Sequence, residues 1–184
     1  PANVALTLDG SLAANTSIDA NGITFSSVAI SRSAGSAGDL TLTIVSGTTI
    51  PLGNSPTISL ANTAGTNVYN LTNNGTITAG TGTFTINLGN VSSTFTNAGT
   101  ITANSITSFV ANATAAVSNS GTISMTGNTS FDFNNSFTNS GTATFSTGAS
   151  PTMTVAGSLV VAGTSTFPAN VALTLDGSLA ANTS

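Results

Sequence analysis

The sequence predicts an all-β fold, a parallel β-solenoid of about seven to eight coils per 167-residue period, each coil about 20–24 residues long. Three observations carry that prediction. Residues 1–17, PANVALTLDGSLAANTS, return letter for letter as residues 168–184, so the chain reads as one repeat unit, 1–167, followed by the start of an identical one, 168–184. Inside the unit a shorter motif recurs, and around it apolar and small polar residues alternate with the two-residue period of a strand.

The inner repeat is clearest in LTNNGTITA from Leu71, FTNAGTITA from Phe95, VSNSGTISM from Val117 and FTNSGTATF from Phe137. Their glycines, Gly75, Gly99, Gly121 and Gly141, follow one another at intervals of 24, 22 and 20. A spacing that drifts in this way suits a coil that closes on itself and lets extra residues loop outward. A looser relative, VAGSLVVAG from Val155, is followed by LDGSLAAN from Leu175, and Gly157 and Gly177 repeat the interval of 20. The overlapping segment with Gly10 is taken as one more such unit.

Within each motif the residues divide by role. In Gly75-Thr-Ile-Thr-Ala79 the threonines face one way and Ile77 the other, and the same holds at Ile101, Ile123 and Ala143. Leu71, Phe95, Val117 and Phe137, just before the turn, are expected to build a second inward stack. Asn73, Asn97, Asn119 and Asn139 sit two residues before their glycines, at a sharp turn that Gly enters without steric cost and Asn tolerates. In register these amides are expected to form a ladder, each donating to one neighbouring coil and accepting from the other at about 4.8 Å spacing.

Leu40-Thr-Leu-Thr-Ile44, Gly82 to Leu88 and Val171-Ala-Leu-Thr-Leu175 supply the remaining walls, with Phe84, Ile86 and Leu88 facing in. The pattern is least regular between Ile18 and Thr66. There Ser33 to Gly38 reads as an outward loop, and Pro51 with Pro56 as a corner. One period advances roughly 35 Å along the axis at about 4.8 Å per coil.

Composition narrows the function. Only Arg32 and five aspartates, Asp9, Asp19, Asp39, Asp132 and Asp176, carry charge, 3% of residues against roughly 25% in an ordinary soluble domain. One arginine makes no basic footprint, so neither nucleic acid nor a polybasic membrane contact is expected as a partner. The sequence holds no apolar run long enough to span a bilayer, and no membrane insertion is expected. His, Lys, Cys, Glu and Trp are absent, which removes the usual general bases, the thiol nucleophile and most transition-metal ligands. No catalytic residue, no metal site, no cofactor and no small-molecule substrate is therefore expected. Asp9 and Asp19 read as turn residues, and with Asp39 they supply too few oxygens for calcium.

The chain is nonetheless expected to fold, since Leu, Ile, Val and Phe make up 44 of 184 residues, about 24%. The 35 Thr, 21 Asn and 19 Gly favour strands and turns over helices.

The segments from residue 71 to 145 resemble the repeats of right-handed β-helical bacterial exoproteins, the filamentous-haemagglutinin and autotransporter-adhesin type. In those repeats an apolar residue, a polar pair around Asn, Gly-Thr and a β-branched residue recur once per coil. The resemblance implies an extracellular chain at the cell surface, exported unfolded. This sequence departs from those repeats in its scarcity of charge and its exact long period, which favours a fibre of interchangeable units.

The expected function is thus structural, a repeat of an extracellular filament or surface fibre whose partners are further copies of itself, joined in tandem or stacked. One alternative is the stalk of a giant repeat adhesin whose binding head lies elsewhere. Another is an ice-binding surface resembling Thr-x-Thr arrays, built from Thr76 and Thr78, Thr100 and Thr102, Thr122 and Ser124, and Thr142 and Thr144.

Overall fold

Alternating threonine and apolar residues make strands, and strands whose neighbours all run the same way need a crossover between them. Here the crossover is the rest of a coil. The computed structural model describes residues 4–9, 16–18, 23–32, 39–62, 67–89, 92–112, 116–127, 130–145, 151–167 and 171–175. Every strand pairing among them is parallel, and the fold is an all-β parallel solenoid.

The chain opens with β1 (Val4–Asp9), β2 (Thr16–Ile18), β3 (Phe25–Arg32), β4 (Leu40–Ile44) and the long β5 (Thr49–Asn62). Regular triplets follow. They are β6 (Tyr69–Asn73), β7 (Thr76–Ala79) and β8 (Gly82–Leu88), then β9 (Thr94–Asn97), β10 (Thr100–Thr102) and β11 (Ile106–Ala111). Next come β12 (Ala116–Asn119), β13 (Thr122–Met125) and β14 (Ser130–Phe133), then β15 (Phe137–Asn139), β16 (Thr142–Phe145) and β17 (Thr152–Val155). A last group, β18 (Leu159–Val161), β19 (Thr164–Thr166) and β20 (Ala172–Leu175), lies on top.

Three walls result. The first stacks β2, β4, β6, β9, β12, β15 and β18 in chain order. The second runs from β5 through β7, β10, β13 and β16 to β19, and the third from β1 through β3, β5, β8, β11, β14 and β17 to β20. The second and third walls belong to one sheet because β5 serves both, pairing β7 through Thr49–Leu52 and β8 through Thr57–Leu60.

Between the walls lies a narrow, continuous apolar core. On the first wall Leu42, Leu71, Phe95, Val117, Phe137 and Leu159 pair one above the next, all buried. On the second, Ile50, Ile77, Ile101, Ile123 and Ala143 do the same. The third wall carries Phe84, Phe109, Phe131 and Met153 in one column, with Ile58, Ile86, Ala111, Phe133 and Val155 beside it. Rings meet along and across the walls: Phe84 contacts Phe109 edge to face with centroids 5.5 Å apart, and Phe133 stacks on Phe137 at 4.4 Å. Each such aromatic pair adds about 0.5–1.5 kcal/mol beyond its burial.

The coil count is lower than the expected seven to eight. Seven strands stack in the first wall, but separate strands with alternating burial on all three walls occur in about four turns, from Tyr69 to Val155. The reason lies in the segment up to Asn62, where strands of neighbouring walls run together. Coil spacing there is also wider than in the regular turns, the step being 26 from Ile18 to Ile44 and 29 from Ile44 to Asn73.

Pro51 and Pro56 fall inside the single strand β5, with the change of wall between them. Asn54 and Ser55 make that bend: Ser55 has φ 46°, its N–H donates to the Thr81 carbonyl at 2.6 Å, and Asn54 Oδ1 accepts from the Thr81 N–H. Residues 33–38, expected as an outward loop, lie outside the described residues, as do Gly10, Asp19 and Gly177. Asp9 is the last residue of β1.

Candidate functional site

The corner between the first and second walls is where sequence and geometry agree most closely. The chain leaves the first wall at an asparagine and enters the second after two residues, at 74–75, 98–99, 120–121 and 140–141. Asn73, Asn97, Asn119 and Asn139 pair in direct register and are all fully buried. Asn73 Nδ2 donates to Asn97 Oδ1, Asn97 Nδ2 to Asn119 Oδ1, and Asn119 Nδ2 to Asn139 Oδ1, each at 2.7 Å.

The second hydrogen of each amide is also used. It reaches the carbonyl of the threonine that opens the next second-wall strand: Thr100 at 3.1 Å, Thr122 and Thr142 at 3.2 Å, and Thr164 at 3.0 Å. At the lower end Asn73 Oδ1 accepts from the Gly75 N–H, and at the upper end Asn139 Nδ2 donates to Ser165 Oγ. A buried amide left unmatched costs about 1–3 kcal/mol, so a column in which every amide is matched favours one register over any slipped one. Ile44 below and Val161 above occupy the same register position, which bounds the ladder at four members.

Glycine stands beside each asparagine because the coils touch there. A Cβ on Gly99 would strike the Gly75 carbonyl oxygen, one on Gly121 that of Gly99, and one on Gly141 that of Gly121, all inside any permitted contact. The main chain closes the same corner: the Asn97 carbonyl accepts both Ser120 and Gly121 N–H at 2.8 and 3.1 Å, and Thr122 N–H donates to the Gly99 carbonyl at 2.8 Å.

The sequence missed one member of this column. Gly163, not Gly157, continues it: Thr164 N–H donates to the Gly141 carbonyl, and a Cβ on Gly163 would meet that same oxygen. Aligning Leu159-Val-Val-Ala-Gly-Thr164 with Phe137-Thr-Asn-Ser-Gly-Thr142 gives the signal, which the exchange of Asn for Val161 obscures. Gly157 belongs to a different corner, where its N–H donates to the Asn135 carbonyl.

Outside the second wall, Thr49, Thr76, Thr100, Thr122, Thr142 and Thr164 form one column. Pro51, Thr78, Thr102, Ser124, Thr144 and Thr166 form the next. The four-rung array expected from sequence is present as a geometric arrangement; Thr164 and Thr166 add a rung above it, while below it only the first column continues, through Thr49, the second ending at Pro51.

Among the described residues no three of His, Cys, Asp or Glu come together to hold a metal ion. Asp39 accepts the Val68 N–H at 2.8 Å, and Asp132 pairs in register between Val110 and Thr154. Tyr69 is buried with its hydroxyl unmatched, while its N–H donates to Ser93 Oγ at 3.0 Å. Among the described residues no helix is long and apolar enough to cross a membrane.

Known proteins add no constraint: no protein family, curated protein or solved structure matches this chain. The asparagine corner thus rests on its own geometry. It is a structural repeat, a column of buried amides and close glycine contacts that holds stacked coils in register.

Proposed function

We propose that this chain is a structural repeat of an extracellular filament or surface fibre, its copies joined in tandem or stacked end to end. The observation that carries the reading is the column of four buried amides, hydrogen-bonded coil to coil along the axis. Cohesion of that kind grows with the number of stacked coils and needs no ligand. The recurrence of residues 1–17 as 168–184 supports a second copy of this chain as the neighbour. An extracellular setting draws its support from the resemblance of residues 71–145 to exported β-helical repeats. A stalk of a giant adhesin shares these features and differs in carrying a binding head.

Electron microscopy of the native material tests the reading. An unbroken filament with a layer line near 4.8 Å is expected, with an axial repeat of roughly 35 Å set by the seven strands stacked in the first wall. Its integrity should be the same in low and high salt, because backbone ladders and an apolar core supply the cohesion. Separate compact particles, or a filament that dissolves with rising ionic strength, would overturn it.

The six-rung threonine column favours one second reading, an ice-binding wall. Thermal hysteresis in solution is its expected signature, and a freezing point equal to the melting point disposes of it.

A further inference from the structure

The two ends of the third wall are built from the same residues. At the bottom, Ala5–Leu8 of β1 lie under β3, with Ala5 opposite Ser27 and Leu6 opposite Val28. At the top, Ala172–Leu175 of β20 lie on β17, with Leu173 opposite Met153 and Leu175 opposite Val155. Both segments read Ala-Leu-Thr-Leu and fall within the identical residues 1–17 and 168–184. Among the described residues β20 has no strand on its far side, and Leu173 is 47% exposed. The two identical strands are thus paired on complementary sides, β20 with the strand that precedes it and β1 with the strand that follows it.

We propose that one strand serves both roles: β20 of one period is β1 of the next, and the occupant of its free edge is β3 of that next copy. This rests on the reading that copies follow in tandem.

The register then makes a specific demand. The column Phe84, Phe109, Phe131, Met153 leads to Leu173. Leu173 is Leu6 of the next copy, which stands under Val28, and Val28 leads to Ile58 and Ile86. Ile86 lies in the neighbouring column, two residues along the strand from Phe84. Each period therefore slips its third-wall columns sideways by two residues, about 6.6 Å, while inward positions still meet inward positions because the strand period is two. The column of one copy that ends in Phe131, Met153 and Leu173 continues as the Val28, Ile58 and Ile86 column of the next. Long apolar columns do not run straight through the array; they shift by one place at every joint.

Disulfide trapping reads this register directly, since the chain has no cysteine of its own. The test chain is the full sequence continued after Ser184 by a second pass of residues 18–184. Ser27→Cys in the second pass is combined in turn with Ala172→Cys or Thr174→Cys in the first. The slipped register sets Ala172 opposite Ser27, at the neighbouring-strand spacing a disulfide spans, and leaves Thr174 about 8 Å away, out of reach.

Oxidation in dilute solution is expected to close the Ala172 pair at least about tenfold faster than the Thr174 pair, with the same circular dichroism in both. Faster closure with Thr174 would mean straight columns, and closure with neither would mean that β20 does not meet β3; both outcomes overturn the proposal. Micrographs of the same chains separate the two readings. Crosslinked chains that build no fibre leave the shared strand standing and remove the filament, and fibres without either crosslink do the opposite.

Discussion

Two kinds of corner bound each coil, and they treat length differently. Between the first and second walls the connection is two residues in every regular coil, at 74–75, 98–99, 120–121, 140–141 and 162–163. Between the third wall and the first it falls from five residues (89–93) to four (112–115) to three (134–136 and 156–158). Between the second and third it runs from two (80–81) through three (103–105) and four (126–129) to six (146–151), then five (167–171). Strand length varies most on the third wall, where β8, β11 and β14 shorten in turn. The drift of the glycine interval from 24 to 22 to 20 is therefore absorbed away from the asparagine corner. Buried amides and touching glycines hold that corner fixed, and the chain varies where no such column is stacked.

The strongest way to break that contrast is an insertion. Two glycines placed between Ser120 and Gly121 should prevent folding, seen as loss of the strand signal in circular dichroism. The same two placed after Asn135 lengthen a three-residue corner to the five already present at 89–93. They should cost about 0.6 kcal/mol or less in denaturant unfolding.

Substituting the glycine itself is the next largest effect. Gly121→Ala forces a Cβ against the Gly99 carbonyl oxygen and should destabilise by about 3–5 kcal/mol. Gly47→Ala, at φ 82° with nothing within 4 Å, should cost only about 1 kcal/mol. Equal losses at the two sites in urea titrations would remove close packing as the cause.

Asn119→Leu takes from Asn97 Nδ2 its side-chain acceptor, leaving it backbone carbonyls alone, and from Asn139 Oδ1 its ladder donor, for an expected loss of about 2–4 kcal/mol in the same titrations. Thr138→Ala, on the outer face of the same wall, should change stability by less than about 0.5 kcal/mol. The smallest effect has the opposite sign. Tyr69→Phe removes a buried hydroxyl that has no partner and should leave the melting temperature unchanged or raise it.

What the sequence disclosed follows the same division. Asn73, Asn97, Asn119 and Asn139 were legible because each sits at a fixed offset from a glycine, and a fixed corner repeats the same letters. Gly163 was not, because Val161 replaces the amide that marks the motif, while Gly157 offered a plausible spacing from an unrelated corner. The segment up to Asn62 resisted reading for a different reason. In β5 apolar alternation passes through a change of wall without interruption, so period two reports a strand but not where it bends. Proline suggested a corner at positions 51 and 56, and the turn lies between them at Asn54 and Ser55. Coil number was overestimated because the count carried the 20–24-residue step of the regular turns through the whole period, whereas the steps below Asn73 are 26 and 29 residues.

Every amide in the ladder donates toward the C-terminal coil and none toward the N-terminal one. Side-chain dipoles aligned head to tail add, as peptide dipoles do along a helix, and each polarises the next. The solenoid axis therefore carries an arrow in its interior. Two copies meeting head to head would bring like poles together, whereas copies meeting head to tail extend the same alignment, so any array built on this corner has a direction along its length.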